Sequence, residues 1–418
     1  MMQQPKWLHA SGTEQKSRMT TKVVLFIFAT VYIAAVVVLR NLAWRDPTSK
    51  FFNPDAAYLP QYSEVRWYQT EKFLANATSS SLDHYSASNT TLPELCIGVP
   101  TVARKGAQYL RTALGSLLEG LRVSERNRIN LIVFIAELDP ADHPAYRKPW
   151  LTELVDTTLL YDLPTDELQR LGNMDDQHKS AFDYRYLLNA CHATGAPYVA
   201  LIEDDVLASS GWLRRTMAGL DRITSKITTS EWLYLRLFYT ETYFGWNDGD
   251  LFEHVAWSLL LIASVALSLL ATHLFAPKSR AYISNILVIS LCCICTPLCI
   301  TLFFLAGRVT IFPFANGVHK MDKYGCCSQG LVFNRPEIPA LLDMLSGESG
   351  LFFDMRVEQY ADEHGLDRWA LQPPVLQHMG IKSSSDGGLK SKNARKVWSF
   401  AFERTKDNRG PENEELRV

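Results

Sequence analysis

In PYVALIEDDVLASSGW, Pro197 to Trp212, a strand-like apolar run from Tyr198 to Ile202 leads straight into three carboxylates, Glu203, Asp204 and Asp205. Val206 and Leu207 then turn apolar again. Adjacent like charges repel, and partial burial makes them costly unless something neutralises them. A buried strand that ends this way predicts a cleft at its carboxyl end and a partner for the charge.

The segments upstream share this grammar. LCIGVPTV reads as a strand ending in a Pro-Thr loop, and GAQYLRTALGSLLEGL carries apolar residues at helical spacing. INLIVFIAEL is a second strand ending near Asp139, and LVDTTLLYDL a weaker third. HKSAFDYRYLLNACHATG is a helix with Gly195 near its C-terminus, and it runs into PYVALIEDDV. Strands alternating with helices predict an α/β fold whose parallel sheet is covered on both faces. Ligands of such sheets bind at the carboxyl ends of the strands, which is where the acidic triplet falls.

Farther out lie three apolar blocks. Val23 to Leu39 has no charge and is closed by Lys22 and Arg40. The tail before it carries Lys6, Lys16, Arg18 and Lys22 against Glu14, which places that tail in the cytosol. A cleaved signal peptide would need a small-residue site after the core, and RNLAWRDP offers a poor one. Val255 to Phe275 and Ala281 to Ala306 are joined by APKSR, whose Lys278 and Arg280 put this loop in the cytosol too. The second block spans roughly 31 Å as a helix, the thickness of a hydrocarbon core. Pro297 inside the third predicts a kink or tilt. A buried helical pair in a soluble core is the competing reading, and charge-free runs of this length argue against it.

Residues 41 to 254 and 307 to 418 then share the non-cytosolic side. The sequons at Asn76 and Asn89 agree, in the Ser/Thr/Asn-rich stretch NATSSSLDHYSASNTT. Cys292, Cys293, Cys295 and Cys299 lie in the third apolar block, and Cys96, Cys191, Cys326 and Cys327 in the luminal segments, where disulfides can form. Cys96–Cys191 with a vicinal Cys326–Cys327 bridge is the favoured pairing, though the sequence leaves the others open. The 418 residues are 47% apolar with a net charge of -2. That balance argues against a disordered chain or a nucleic-acid-binding surface.

Carboxylates at the end of a buried strand suit a hard divalent cation, Mn2+ or Mg2+. Such a cation bridges to nucleotide phosphates and neutralises a leaving diphosphate. The structural alternative is a helix start, with Asp204 or Asp205 as a cap for DVLASSGWLRRTM.

An anchor, a stem and a strand ending in EDD resemble Golgi glycosyltransferases of the GT-A (Rossmann-like) fold. PPVLQHMGIKSS, Pro373 to Ser384, is similar to the C-terminal signature of GnT-IV-type N-acetylglucosaminyltransferases. A two-helix transmembrane hairpin splitting the catalytic domain, with EDDV and CCSQG (Cys326 to Gly330), resembles the Golgi GPI-glycan N-acetylgalactosaminyltransferase family. The resemblance runs from the anchor to about Ser385. It implies a cytosolic tail 1–22, an anchor 23–40, a luminal stem 41–94 and a catalytic domain in two parts, 95–254 and 307–386. Helices 255–275 and 281–306 with the loop 276–280 lie between those parts, and 387–418 is an unassigned tail in which VWSFAF could dock on the domain.

The resemblance further implies transfer of N-acetylgalactosamine from UDP-GalNAc to a mannose of the GPI glycan, inverting and Mn2+-dependent, in the Golgi lumen. Asp205, with Glu203 through water, would ligate the metal, and Asp204 would face the donor. Pro100, Thr101 and Arg104 would meet uridine and phosphate, although Arg104 also reads as a surface residue. Lys179 and Asp183 would border the nucleotide or, equally, form a solvated helix face. Ser328, Gln329 and Gly330 would approach the donor sugar, and His378 the metal or diphosphate. Asp354 is the candidate base, with Glu358 one turn on as runner-up; as a structural residue Asp354 would cap a helix running to His364. A lipid-tethered acceptor gives the hairpin a purpose, since extra spans can hold a cleft near the bilayer. Two alternatives stand beside this reading: an N-glycan branching N-acetylglucosaminyltransferase, and a non-enzymatic polytopic lectin or scaffold using EDD as a Ca2+ site.

Overall fold

The structure, a computed structural model, describes residues 6–76, 92–104, 106, 108–227, 231–276, 282–321, 327–379 and 397–405. Asn89, Cys326 and most of the APKSR loop lie outside these residues. The chain divides into two compact units, Met1–Ala57 with Phe244–Pro313, and Tyr58–Tyr243 with Phe314–Val418.

The first unit is helical. Three helices are long and apolar enough to cross a membrane: Gln15–Ala43 within the longer helix Lys6–Ala43, Leu251–Phe275, and Asn285–Leu305. In the most apolar windows of the first two no residue is buried by protein, which suits lipid and not a soluble core. The third is irregular just before Pro297: Leu291–Cys295 is a π-helical turn. Proline cannot donate to the helix ladder. Thr296, just before it, donates both its N–H and its hydroxyl to the Leu291 carbonyl. Beyond the spans, Asp46 ties the end of the first helix to that of the third. One of its oxygens accepts from Thr48, and the other from the Thr310 N–H and hydroxyl at 2.7 and 2.8 Å.

The second unit is mixed α/β around an eight-stranded sheet. Its strands are β1 (Leu95–Thr101), β2 (Ile129–Ile135), β3 (Thr157–Leu159), β4 (Tyr198–Ile202), β6 (Trp232–Arg236), β7 (Gly317–Lys320), β8 (Gly330–Asn334) and β9 (Asp367–Gln372), in the order β3-β2-β1-β4-β8-β6-β9-β7. Two short strands, β5 (Val206–Ala208) and β10 (Leu376–His378), pair antiparallel as a separate ribbon. Continuous apolar runs in β1, β2 and β4 are buried on both faces, as expected of central strands.

The sheet is parallel from β3 through β4, as the alternating pattern predicts. It then departs from that expectation, because β8 enters antiparallel between β4 and β6. The reversal has a useful result. Gly330 opens β8 opposite Ile202, where an added Cβ would lie 2.4 Å from Leu376 Cδ1. Running antiparallel, the start of β8 meets the end of β4, so the residues before Gly330 arrive beside the acidic triplet.

Cys96 in β1 and Cys191 in the helix Asp176–Ala193 form a disulfide. Cys327 is also disulfide-bonded. In the segment read as stem, Tyr62–Asn76 is a helix whose Arg66 is wholly buried. Arg66 donates to the Ala208 carbonyl at 2.9 Å and pairs with Glu119 at 2.5 Å. Asn76 closes that helix at an exposed position.

Candidate active site

β4 ends at Ile202 because Glu203 to Asp205 turn the chain toward β5, and each carboxylate meets a different partner. Asp204 accepts from the Thr101 hydroxyl at 2.5 Å and from Arg104 Nη2 at 2.6 Å. The same guanidinium lies 3.4 Å from Asp205. Asp205 Oδ2 is 3.3 Å from His378 Nε2. Glu203 accepts from the Ser328 hydroxyl at 2.5 Å and from Gln329 Nε2 at 3.1 Å. The protein itself therefore faces the three charges with one arginine, one histidine and three neutral donors.

Their acidities diverge accordingly. Burial, with Asp205 next to it, pushes Glu203 up to about 7. Burial also pushes Asp204 up to about 6, against the pull of Arg104. Burial pushes Asp205 up too, but His378 and Arg104 together outweigh it and hold that carboxyl below its ordinary range. His378 is raised in turn, because Asp205 outweighs the cost of its burial. Neighbouring carboxylates with separated acidities mark a site built to carry charge.

Behind Thr101 stands His143, which no motif in the sequence singles out. The Ala145 N–H donates to His143 Nδ1 at 3.1 Å. The ring proton is thereby assigned to Nε2, 3.1 Å from Thr101 Oγ1. Thr101 can then give its own proton to Asp204. Pro100 sits one residue earlier in β1, opposite Phe134.

Lys179 and Asp183 occupy one face of the helix Asp176–Ala193 and form a separate cluster at the end of β2. Lys179 Nζ reaches Asp183 at 2.8 Å, the Ala136 carbonyl at 3.0 Å and Tyr161 at 3.3 Å, and Tyr161 donates to Asp183. Burial raises Asp183 despite Lys179. These two residues are a packed polar cluster with an aromatic lid, not a solvated face.

On the other flank, Tyr184 stacks on Phe353 at 4.0 Å. Phe353 opens the helix Phe353–His364, whose N-cap is Phe352, and Asp354 follows in the first turn. Asp354 is half-buried, and its hydrogen bond to protein is from the Met355 N–H at 2.9 Å. Glu358, one turn on, is committed elsewhere: it pairs with Arg236 at 2.5 Å and Arg368 at 2.9 Å and accepts from Tyr234 at 2.6 Å. Arg236 also donates to the Cys327 carbonyl. Gly330 meets Leu376 inside the fold, so its small size serves strand packing.

Among the described residues no three His, Cys, Asp or Glu side chains form a set able to hold a metal unaided. Asp205 Oδ1, Arg104 Nη1 and Gln329 Oε1 are nonetheless buried without a hydrogen-bond partner among the described residues. An unpartnered carboxylate oxygen beside a histidine fits a cation that takes most of its ligands from water and phosphate. An unpartnered guanidinium nitrogen fits an anion.

The family described as GPI-N-acetylgalactosamine transferase PGAP4 matches residues 95–377, from the first residue of β1 to the penultimate residue of β10. No curated protein matches the chain. The match covers more than half of the sequence, so the chain belongs to this family and is a glycosyltransferase.

Proposed function

We propose that this member of the GPI-N-acetylgalactosamine transferase family moves N-acetylgalactosamine from UDP-GalNAc to a mannose of the GPI glycan, with inversion, at a GT-A-type site on the carboxyl edge of β1 and β4. The proposal places the reaction in the Golgi lumen. The observation that carries it is Asp205, a buried carboxylate with one oxygen turned to His378 and the other without a partner among the described residues.

Asp205 and His378, with Glu203 through water, would hold Mn2+ or Mg2+, which when bound neutralises charge on the departing diphosphate. Arg104 fixes Asp204 through Nη2 and keeps Nη1 for a phosphate oxygen. Ser328 and Gln329 hold Glu203 against the end of β4, at the place where the antiparallel β8 delivers them. Asp354 takes the proton of the acceptor hydroxyl as its oxygen bonds to the anomeric carbon, and the bond to UDP breaks with its electron pair. Its neighbour Glu358 is held by two arginines and a tyrosine, which leaves Asp354 the freer carboxylate of the pair. General-base assistance of this kind is worth about 10²–10⁴-fold.

Incubating the purified chain with a panel of UDP-sugars, with Mn2+ and with a chelator, tests the reading. UDP release from UDP-GalNAc that needs the metal is expected. Preference for UDP-GlcNAc would favour N-glycan branching, and metal binding without turnover would favour the lectin.

A further inference from the structure

The family match ends at Gln377, but the fold around the site does not. Residues 397–405 return to the second unit and bury Trp398, Phe400 and Phe402. Three buried polar side chains tie them in, one of them their own. Glu241 accepts the Phe400 and Ala401 N–H groups at 2.9 and 2.6 Å. Glu403 accepts the Gln61 and Ser63 N–H groups at 2.8 and 3.2 Å, where the helix Tyr62–Asn76 begins.

Gln377 is the third. Its Nε2 donates to the Ser399 carbonyl at 2.9 Å and to Glu403 at 2.8 Å, while its Oε1 accepts the Ser399 N–H at 3.0 Å. Oε1 also accepts the His378 N–H at 3.2 Å, and two acceptors on one side of the amide with two donors on the other fix its orientation. Successive residues of a strand face opposite ways. Gln377 turns to residues 397–405, and His378 turns to Asp205. β10 is three residues long and pairs with β5; beside that ladder, the Leu376 N–H donates to the Leu237 carbonyl at 3.2 Å and the Met379 N–H to the Asp205 carbonyl at 2.7 Å.

We infer that residues 397–405 are a brace for the catalytic cleft and that Gln377 is the positioning residue through which the brace sets His378 against Asp205. The inference rests on His378 belonging to the donor site. It assigns a role to a segment beyond the family match, and it makes the site depend on chain from both ends of the second unit.

The test is a double-mutant cycle on the full chain. Transfer rate and UDP affinity with Mn2+ are measured for wild type, Gln377→Met, His378→Ala and the double variant, each checked for an intact melting transition. Gln377→Met is expected to lower both readouts about tenfold or more when His378 is present and to change neither in the His378→Ala background. A chain ended after Thr405 is expected to keep wild-type transfer, and one ended after residue 396 to lose it. A residue that merely supported the fold would cost the same factor with or without His378, and that result overturns the inference. So does wild-type behaviour of Gln377→Met. Wild-type transfer by His378→Ala would instead remove His378 from the site, and with it both the brace's target and the reading on which it rests.

Discussion

Asp205 and Asp354 divide the chemistry of the proposed site, and their substitutions should fail differently. Asp205→Ala removes the carboxylate that faces His378 and is expected to abolish transfer while leaving expression near normal. Asp354→Asn keeps shape and the first-turn position and should retain UDP-sugar binding while transfer falls about 10²–10⁴-fold. Transfer at the wild-type rate would make Asp354 a helix-terminus residue. His319 gives a separate, structural prediction. Both its ring nitrogens are buried without partners among the described residues, and it stacks on Phe314 at 4.3 Å. Burial lowers it from 6.5 to about 4. The folded protein thus binds fewer protons than the unfolded chain in that window. Stability from this group is complete above about 6.5 and is lost as pH falls toward 4, on the order of 3 kcal/mol in all. Melting of wild type and His319→Phe at stepped pH should show the acid-side loss shrinking in the variant; parallel curves would contradict it.

At the scale of elements, the antiparallel β8 matters most. Gly330→Ala would drive a Cβ into Leu376 at 2.4 Å and toward Leu237 Cβ at 3.2 Å. Overpacking of this kind costs about 1–3 kcal/mol, and because Leu376 neighbours Gln377 and His378 in β10, transfer should fall with stability. Urea unfolding reads the first and a transfer assay the second; an unchanged midpoint would show that β10 yields freely. Periodicity made β1, β2, β4 and the helix Asp176–Ala193 legible, since their buried faces are written in consecutive or helically spaced apolar residues. The luminal compartment permits the Cys96–Cys191 bond, but the sequence alone does not choose it among the possible pairings. What escaped was non-local. Nothing near Glu358 announces Arg236, 122 residues away, which removes it as the freer base. The helix Tyr62–Asn76 was hidden because its buried anchor is an arginine in a polar sequence, satisfied by Glu119 and the carbonyls of Ser116 and Ala208. His143 acts through Thr101 from 42 residues away and had no local motif.

For the whole molecule, the order of segments carries the argument. The two later apolar helices interrupt the α/β unit between Tyr243 and Phe314, and if they cross a membrane both flanking segments must reach the same side of it to make one sheet. β6 precedes the interruption and β8 follows it, yet they pair directly. A tag placed in APKSR should therefore be shielded from proteases on the luminal side, and Asn76 should carry a glycan in a cell that expresses the chain; a luminal tag would sink the three-span topology. If this fold delivers a sugar to a GPI glycan through Asp205, the added sugar can be seen on the glycan itself. The most direct test is mass spectrometry of GPI glycans after incubation of the purified chain with UDP-GalNAc, Mn2+ and a GPI-anchored acceptor. One added N-acetylgalactosamine on a mannose is expected with wild type and none with Asp205→Ala. An unmodified GPI glycan with wild type, or equal addition by both proteins, would contradict it.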